Sequence, residues 1–137
     1  MSAMYRTEAV NHDGADGATV IRGGAHVPVA SPLSPENGTD ATNPEQLLAL
    51  AWATCLNATA RVIVGNTTRT AVRVEVELHP ADPGPGYEFH ADAYLSVEGA
   101  DTARTERVLH AAHARCPVSK LLHGAATARV HPEPYSG

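Results

Sequence analysis

The segment N-P-E-Q-L-L-A-L-A-W-A-T-C-L-N-A-T-A, residues 43–60, decides the fold of this 137-residue chain. Asn43 fits a helix N-cap, a proline follows at the first helical position, and Gln46 completes a capping-box pattern. Apolar side chains then recur on almost every side, up to a stop at Gly65. The pattern predicts one helix that ends near Val64 and is buried on most sides.

The rest of the chain alternates between short strands and helices. Strands are predicted over residues 4–11, 18–22, 26–30, 70–79, 87–98 and 125–131. Helices are predicted over residues 44–64 and 101–115, with a short helical turn from Pro117 to Gly124. The prolines and glycines of residues 81–86 predict a turn between two antiparallel strands, and residues 31–42 a loop. This order, without internal repeats, predicts an α+β fold in a single domain, residues 1–137.

Composition and charge narrow the class of protein. A hydrophobic fraction of 43 % with 18 % charged residues indicates a globular chain, and 4 % aromatics indicate a core of Ala, Val and Leu. A net charge of −5 with a single lysine, Lys120, argues against nucleic acid and anionic membranes as partners. Residues 1–10 are polar, which predicts no secretory signal, and the uncharged run of residues 46–60 is too short to span a bilayer. We therefore expect a cytoplasmic protein whose two cysteines are free, catalytic or metal-bound rather than joined permanently.

The two cysteines have different local surroundings. Cys55 lies mid-helix among apolar residues, where burial would raise its pKa, so a reactive thiolate needs a cation from elsewhere in the fold or from a partner chain. Cys116 precedes Pro117 in C-P-V-S-K and is expected to cap a short helix, whose free N–H groups and Lys120 favour a thiolate. The structural alternatives are a small core residue for Cys55 and an incidental helix cap for Cys116.

A histidine-rich segment offers a metal-binding alternative. His110, His113 and Cys116 are spaced three and three, with His123 nearby. The side chains of His110, His113 and Cys116 could reach one ion only if the helix ended before Cys116. The segment lacks the paired ligands of a zinc signature, and exposed helix surface explains the same histidines, so we assign no metal and no cofactor.

Two motifs resemble those of a known family. Residues 42–56, T-N-P-E-Q-L-L-A-L-A-W-A-T-C-L, resemble the first cysteine motif of the OsmC/Ohr family, the osmotically inducible protein C and organic hydroperoxide resistance proteins. Residues 113–122, H-A-R-C-P-V-S-K-L-L, resemble the second. The histidine of this motif is similar to the Ohr branch and its V-S-K to the OsmC branch, while Y-R-T-E-A at residues 5–9 resembles the first Ohr strand. Chain length, cysteine separation and element order extend the resemblance over nearly the whole chain.

The resemblance implies a fold and an activity. The fold is an intertwined homodimer in which two long central helices pack back to back within bent antiparallel sheets. The activity is thiol-dependent reduction of organic hydroperoxides to alcohols, with Cys55 forming a sulfenic acid and Cys116 resolving it as a disulfide. A dithiol reductant, typically lipoyl-based in the family, regenerates the pair. Glu45 matches the family's catalytic glutamate, which holds an arginine over the reactive cysteine.

The chain departs from the family at that arginine. In the Ohr branch the arginine lies in a G-G-R-D-G turn, but residues 13–17 read D-G-A-D-G, with Ala15 at its place. In the OsmC branch it precedes N-P-E, but residues 23–60 contain neither Arg nor Lys. Arg22 is the nearest replacement.

Two histidines, His12 and His26, are weaker replacements for the missing arginine.

The absence of the family's arginine leaves an alternative function open. A relative without the arginine could keep the fold and the pocket and act as a binding or sensing protein instead of a peroxidase.

Overall fold

The computed structural model describes residues 2–34 and 40–137 and contains two compact units, one up to Leu47 and one from Leu48 to Gly137. Part of the loop predicted over residues 31–42 lies outside the described residues. The single domain over residues 1–137 stays a prediction. The mixture of helices and sheets confirms the predicted α+β class.

The N-terminal unit contains a three-stranded antiparallel sheet. Its strands are β1 (Ala9–Asn11), β2 (Gly17–Ile21) and β3 (His26–Val29), in that order. The strand predicted over residues 4–11 is too long, because β2 pairs only with residues 9–11 before the chain turns at Arg22. The predicted turn at residues 13–17 is present, held by the Asn11 Oδ1 that accepts the Gly14 N–H at 2.7 Å.

The central helix α1 (Pro44–Val64) begins and ends where the sequence predicts. Asn43 Oδ1 accepts the Gln46 N–H at 2.8 Å, which confirms the N-cap. Gly65, with φ of +86°, ends the helix in the left-handed conformation that glycine adopts readily.

The prediction that this helix is buried on most sides is wrong for the single chain. Trp52, Leu56 and Ala60 are buried on one face, whereas Leu50 is 66 % and Val62 83 % exposed. With its 21 residues, α1 is also long and apolar enough to cross a membrane, unlike the run of residues 46–60 taken alone. A helix whose apolar face is covered by another protein surface can have the same length and composition as a membrane span.

The C-terminal unit contains a mixed sheet. The strands β4 (Thr70–Pro80) and β5 (Tyr87–Val97) form the predicted antiparallel hairpin. The last strand, β6 (Ala128–Pro132), pairs with β5 in parallel and is the exception to the antiparallel pairing expected of the sheets. The chain reaches β6 through two helices, α2 (Thr102–Arg115) and α3 (Pro117–Leu121), and such a crossover returns the strand in the same direction.

One face of this sheet carries the core. The buried residues of β5 form one apolar cluster with residues of α1 and α2. The buried core residues are Trp52, Leu56, Ala60, Ala91, Ala93, Leu95, Val97, Val108, Leu109, Ala112 and Cys116.

The opposite face carries a polar network that joins β5 to β6. Asp92 accepts a hydrogen bond from His131 at 2.8 Å and forms an ion pair with Arg129 at 3.2 Å. These two neighbours, His131 first, lower the pKa of the Asp92 carboxyl. The Tyr94 ring stacks on the His131 ring at 4.8 Å and receives the Arg73 guanidinium at 4.1 Å.

Candidate active site

The C-terminal unit brings the two cysteines together as free thiols. Cys55 lies mid-way along α1 and is partly exposed, while Cys116 lies between α2 and α3 and is completely buried. Cys116 is close enough to shift the pKa of Cys55, although 61 residues separate them in sequence (116 − 55). One accessible and one protected thiol therefore face each other.

The electrostatic surroundings of Cys55 favour the neutral thiol. Burial is the largest cause that raises its pKa, and the neighbouring Cys116 raises it further. A hydrogen bond from the Val118 backbone acts in the opposite direction. Among the residues that the structure describes, none of the groups that shift this pKa is a cation. The sequence-based expectation that α1 itself supplies no activating charge is consistent with this geometry.

Cys116 caps α3, as predicted. Its Sγ accepts the Ser119 N–H at 3.5 Å, and its carbonyl oxygen accepts the Lys120 N–H at 2.9 Å. Its own N–H donates to the Ala112 carbonyl at 2.8 Å, which closes the last turn of α2. Pro117 at the first position of α3 has no N–H, so Val118 and Ser119 carry the first free donors, and both serve a cysteine.

A second pair of side chains joins α1 to α3 beside the cysteines. Trp52 Nε1 donates to Ser119 Oγ at 2.9 Å, and both residues are buried. Ser119 was not among the predicted site residues. The available signal was that a buried tryptophan needs a hydrogen-bond acceptor, but nothing in the sequence showed which one.

The two charged residues predicted for the site, Glu45 and Arg22, both belong to the N-terminal unit. Glu45 is in the first turn of α1 and is partly buried. Arg22 lies in the turn after β2 rather than within that strand, 67 % exposed, and its Nε is 2.6 Å from Glu8 Oε1. Within the described residues, the ion-pair partner of Arg22 is therefore Glu8 and not Glu45. The catalytic roles of Glu45 and Arg22 stay predictions.

The weaker candidates, His12 and His26, have exposed side chains in the same unit, and Ala15 lies in the turn before β2.

The histidine-rich segment does not form the alternative metal site. In the described ranges 2–34 and 40–137, no three His, Cys, Asp or Glu side chains are placed to hold a metal ion, so the reading with His110, His113 and Cys116 is wrong. The physical reason is that the Cys116 sulfur points into the buried contact with α3 and Cys55. Burial, followed by repulsion from His110 and His123, lowers the pKa of His113. The buried Nδ1 of His113 has no hydrogen-bond partner among the described residues.

Comparison with known proteins gives one consistent family. The sequence model of the family described as OsmC-like protein matches residues 36–131. An organic hydroperoxide resistance protein-like protein of Mycoplasma pneumoniae is 34 % identical over 127 residues, which are 89 % of each chain.

Solved structures agree with this assignment. A crystal structure of a Lactobacillus casei protein matches with a TM-score of 0.85 and 33 % identity, covering 99 % of this chain and 95 % of its own. The organic hydroperoxide resistance protein OsmC of Legionella pneumophila matches with a TM-score of 0.83 and 26 % identity, covering 98 % and 100 %. The predicted fold is thereby confirmed at the level of the chain.

Proposed function

Because the chain belongs to the OsmC-like protein family, we propose that it is a cysteine-based peroxidase that reduces organic hydroperoxides to alcohols. The observation that carries this proposal is the meeting of a partly exposed Cys55 with a buried Cys116 inside an otherwise apolar core. Relatives named for organic hydroperoxide resistance support the substrate class.

The different exposure of the two thiols supports the roles that we propose for them. The Cys55 thiolate attacks the terminal oxygen of the hydroperoxide, the O–O bond breaks, and the alkoxide takes up a proton and leaves as an alcohol. The Cys116 thiolate then attacks the sulfur of the Cys55 sulfenic acid, and the departing hydroxide leaves as water with the proton of the Cys116 thiol. An external dithiol of the lipoyl type reduces the resulting disulfide and restores both thiols.

The proposed reaction needs a positive charge near Cys55, and none of the described groups that shift its pKa carries one. Cys55 needs a cation to become a good nucleophile, because its surroundings raise its pKa. Arg22 is our candidate for that cation, with Glu8 or Glu45 holding its guanidinium. The role of Arg22 is supported by its position in sequence, as the arginine nearest to the turn in which the family's arginine is replaced by Ala15.

A homodimer would explain the exposed side of α1. Beyond Pro44, its exposed apolar and small residues are Leu47, Leu50, Ala51, Thr54, Ala58 and Val62, and the exposed Arg61 lies on the same side near the end of the helix. At 100° per residue they form a stripe about 120° wide, opposite the face with Trp52, Leu56 and Ala60. Cys55 lies beside the stripe, so a second chain packed there would border the reactive thiol. Such a helix needs no membrane, and we propose a soluble, cytoplasmic homodimer without bound cofactor.

Turnover tests the peroxidase directly. We expect the wild type to consume cumene hydroperoxide with dihydrolipoamide as the reductant, and Cys55→Ser to abolish this activity. Arg22→Ala should lower turnover at least about tenfold, as expected when a cation that stabilises a thiolate is lost. Arg107→Ala removes an exposed arginine of α2 and is the matched control. Equal rates for Arg22→Ala and Arg107→Ala would exclude Arg22 as the activating residue.

A second candidate function rests on the electrostatics of Cys55. A raised pKa together with alanine at position 15 fits a binding or sensing protein that has lost the peroxidase reaction. This candidate requires no turnover in the wild type and two cysteines that still titrate as free thiols after hydroperoxide treatment.

A further inference from the structure

The contact between α1 and α3 contains two pairs of side chains with the same spacing. Trp52 precedes Cys55 by three residues in α1, and Ser119 follows Cys116 by three residues in the chain. Trp52 contacts Ser119 through its indole N–H at 2.9 Å, and Cys55 interacts with Cys116. Residues three apart lie on the same side of a helix, so the two contacts are neighbours, about one helical turn apart.

We propose that Trp52 and Ser119 are positioning residues: their hydrogen bond fixes α3 against α1 in the register that keeps Cys55 and Cys116 within reach of each other. This inference rests on the proposed function, in which these two cysteines form a disulfide.

Disulfide geometry explains why such a restraint is needed. Two cysteines can be joined only when their Cα atoms are about 4.4–6.8 Å apart and their Cβ atoms face each other. A shift of one residue along α1 changes the position by about 1.5 Å and the direction of the side chain by 100°. The bond between Trp52 and Ser119 opposes that shift, because it would leave a buried indole N–H without an acceptor.

The shortness of α3 makes the restraint important. The helix has only five residues. Its first turn is held at the site by two hydrogen bonds, from the Val118 backbone to the Cys55 sulfur and from the Ser119 N–H to the Cys116 sulfur. In both of these hydrogen bonds the acceptor is a sulfur atom that oxidation alters. The hydrogen bond from Trp52 involves no sulfur atom, so oxidation of the cysteines removes neither its donor nor its acceptor.

The inference predicts a change in the disulfide equilibrium. Without the restraint the two thiols meet less often, so the Cys55–Cys116 disulfide becomes less stable relative to the dithiol. We expect Ser119→Ala and Trp52→Phe each to lower the equilibrium constant for disulfide formation about tenfold, which moves the reduction potential by about 30 mV toward less negative values. The double variant should show no more than the effect of one single variant, because both substitutions remove the same hydrogen bond.

The experiment is equilibration of each variant in buffers of reduced and oxidised dithiothreitol or glutathione, followed by mass spectrometry of the Cys55–Cys116 disulfide. Ser119→Thr retains the hydroxyl and should restore the wild-type potential. Thr105→Val is the matched control, because it removes a buried hydroxyl that donates to the Asp101 carbonyl at 2.9 Å, away from both cysteines. It should lower the free energy of unfolding and leave the potential unchanged.

Two results would overturn the inference: a wild-type potential in both Ser119→Ala and Trp52→Phe, or an equal shift in Thr105→Val. If Ser119→Ala does not fold, Trp52→Phe still gives the answer, since it keeps the aromatic ring in the core. The equilibration needs no hydroperoxide, so it separates the two proposals. A shifted potential in a protein without peroxidase turnover would support the positioning role and contradict the proposed function.

Discussion

At the scale of single residues, the chemistry of the site depends on Cys55. Its position in α1 makes it accessible, but the same apolar surroundings that would receive an organic hydroperoxide also disfavour its thiolate. A peroxidatic cysteine in this setting has to obtain its charge stabilisation from outside its own helix. Under the proposed function, the identity of that cation sets the rate at which Cys55 reacts.

The raised pKa gives a testable pH dependence for Cys55. Because the thiolate is the reactive form and burial raises the pKa of Cys55 above its usual value of 9.0, the rate should rise about tenfold per pH unit between pH 7 and 9 in a variant that lacks the proposed cation, Arg22. The measurement is the rate of iodoacetamide labelling at Cys55 in Arg22→Ala/Cys116→Ser and in Cys116→Ser, followed by mass spectrometry. Burial is the largest cause of the shift, so removing Cys116 leaves the direction unchanged. With Arg22 present, Cys116→Ser should reach its plateau at a lower pH, and identical profiles for the two variants would exclude Arg22 as the cation that stabilises the thiolate.

The residues of the site differ in how far the sequence could reveal them. Cys55 and Cys116 were identified as a pair through two motifs, since each motif fixes a local context around a rare residue. Ser119 was missed because its acceptor role depends on a tertiary contact with Trp52, 67 residues away. The Glu8 partner of Arg22 was missed for the same reason, because it lies across the β1–β2 end of the sheet and not next to Arg22 in the chain.

At the scale of elements, local signals predicted the helices and the long hairpin well. Caps fix the ends of α1 and α2, and the alternation in β4 fixes its buried face. The direction of β6 could not be read from its own sequence, because a short strand pairs in either direction and the choice follows from the crossover through α2 and α3.

The side chains between β5 and β6 give a prediction at this scale. Asp92→Asn removes the charge that binds His131 and Arg129 and should lower the free energy of unfolding at pH 7 by about 1 kcal/mol, a reduced value because Arg129 is largely exposed. The folded pKa of Asp92 is lowered, so this stabilisation is present above its unfolded value of 3.8 and is lost as the pH falls through the folded value.

Urea denaturation at pH 7 and near pH 3 measures both effects of Asp92→Asn. Glu77→Gln is the control, because it removes an exposed carboxylate from the ion pair with His79 and should change the stability by less than about 0.5 kcal/mol. A difference between wild type and Asp92→Asn that stays constant down to pH 3 would contradict the ion-pair explanation.

At the scale of the whole molecule, the main deviation from the sequence-based expectation concerns burial. The sequence predicted a helix that is covered on most sides, and the single chain covers only one of them. An apolar residue can be buried in the core of its own chain or against another copy of the chain. The pattern of apolar residues in a sequence therefore does not distinguish a core from an interface.

This interpretation predicts the effect of a charge on the exposed stripe of α1. Leu50→Glu should convert a homodimer into a monomer, since a carboxylate buried between two apolar helices is strongly unfavourable. Size-exclusion chromatography with light scattering measures the mass. Leu121→Glu places the same charge at an even more exposed leucine, in α3, and should leave the dimer intact. A wild type that is monomeric at micromolar concentration would rule out the dimer.

The measurement that tests the peroxidase proposal most directly is a peptide mass map of the folded protein after one equivalent of cumene hydroperoxide. We expect a Cys55–Cys116 disulfide in the wild type and a dimedone-trapped sulfenic acid on Cys55 in Cys116→Ser, because only Cys55 is exposed to substrate. Two free thiols in a folded, hydroperoxide-treated wild type would contradict the proposed function, and the protein would then be better described as a binding or sensing member of its family.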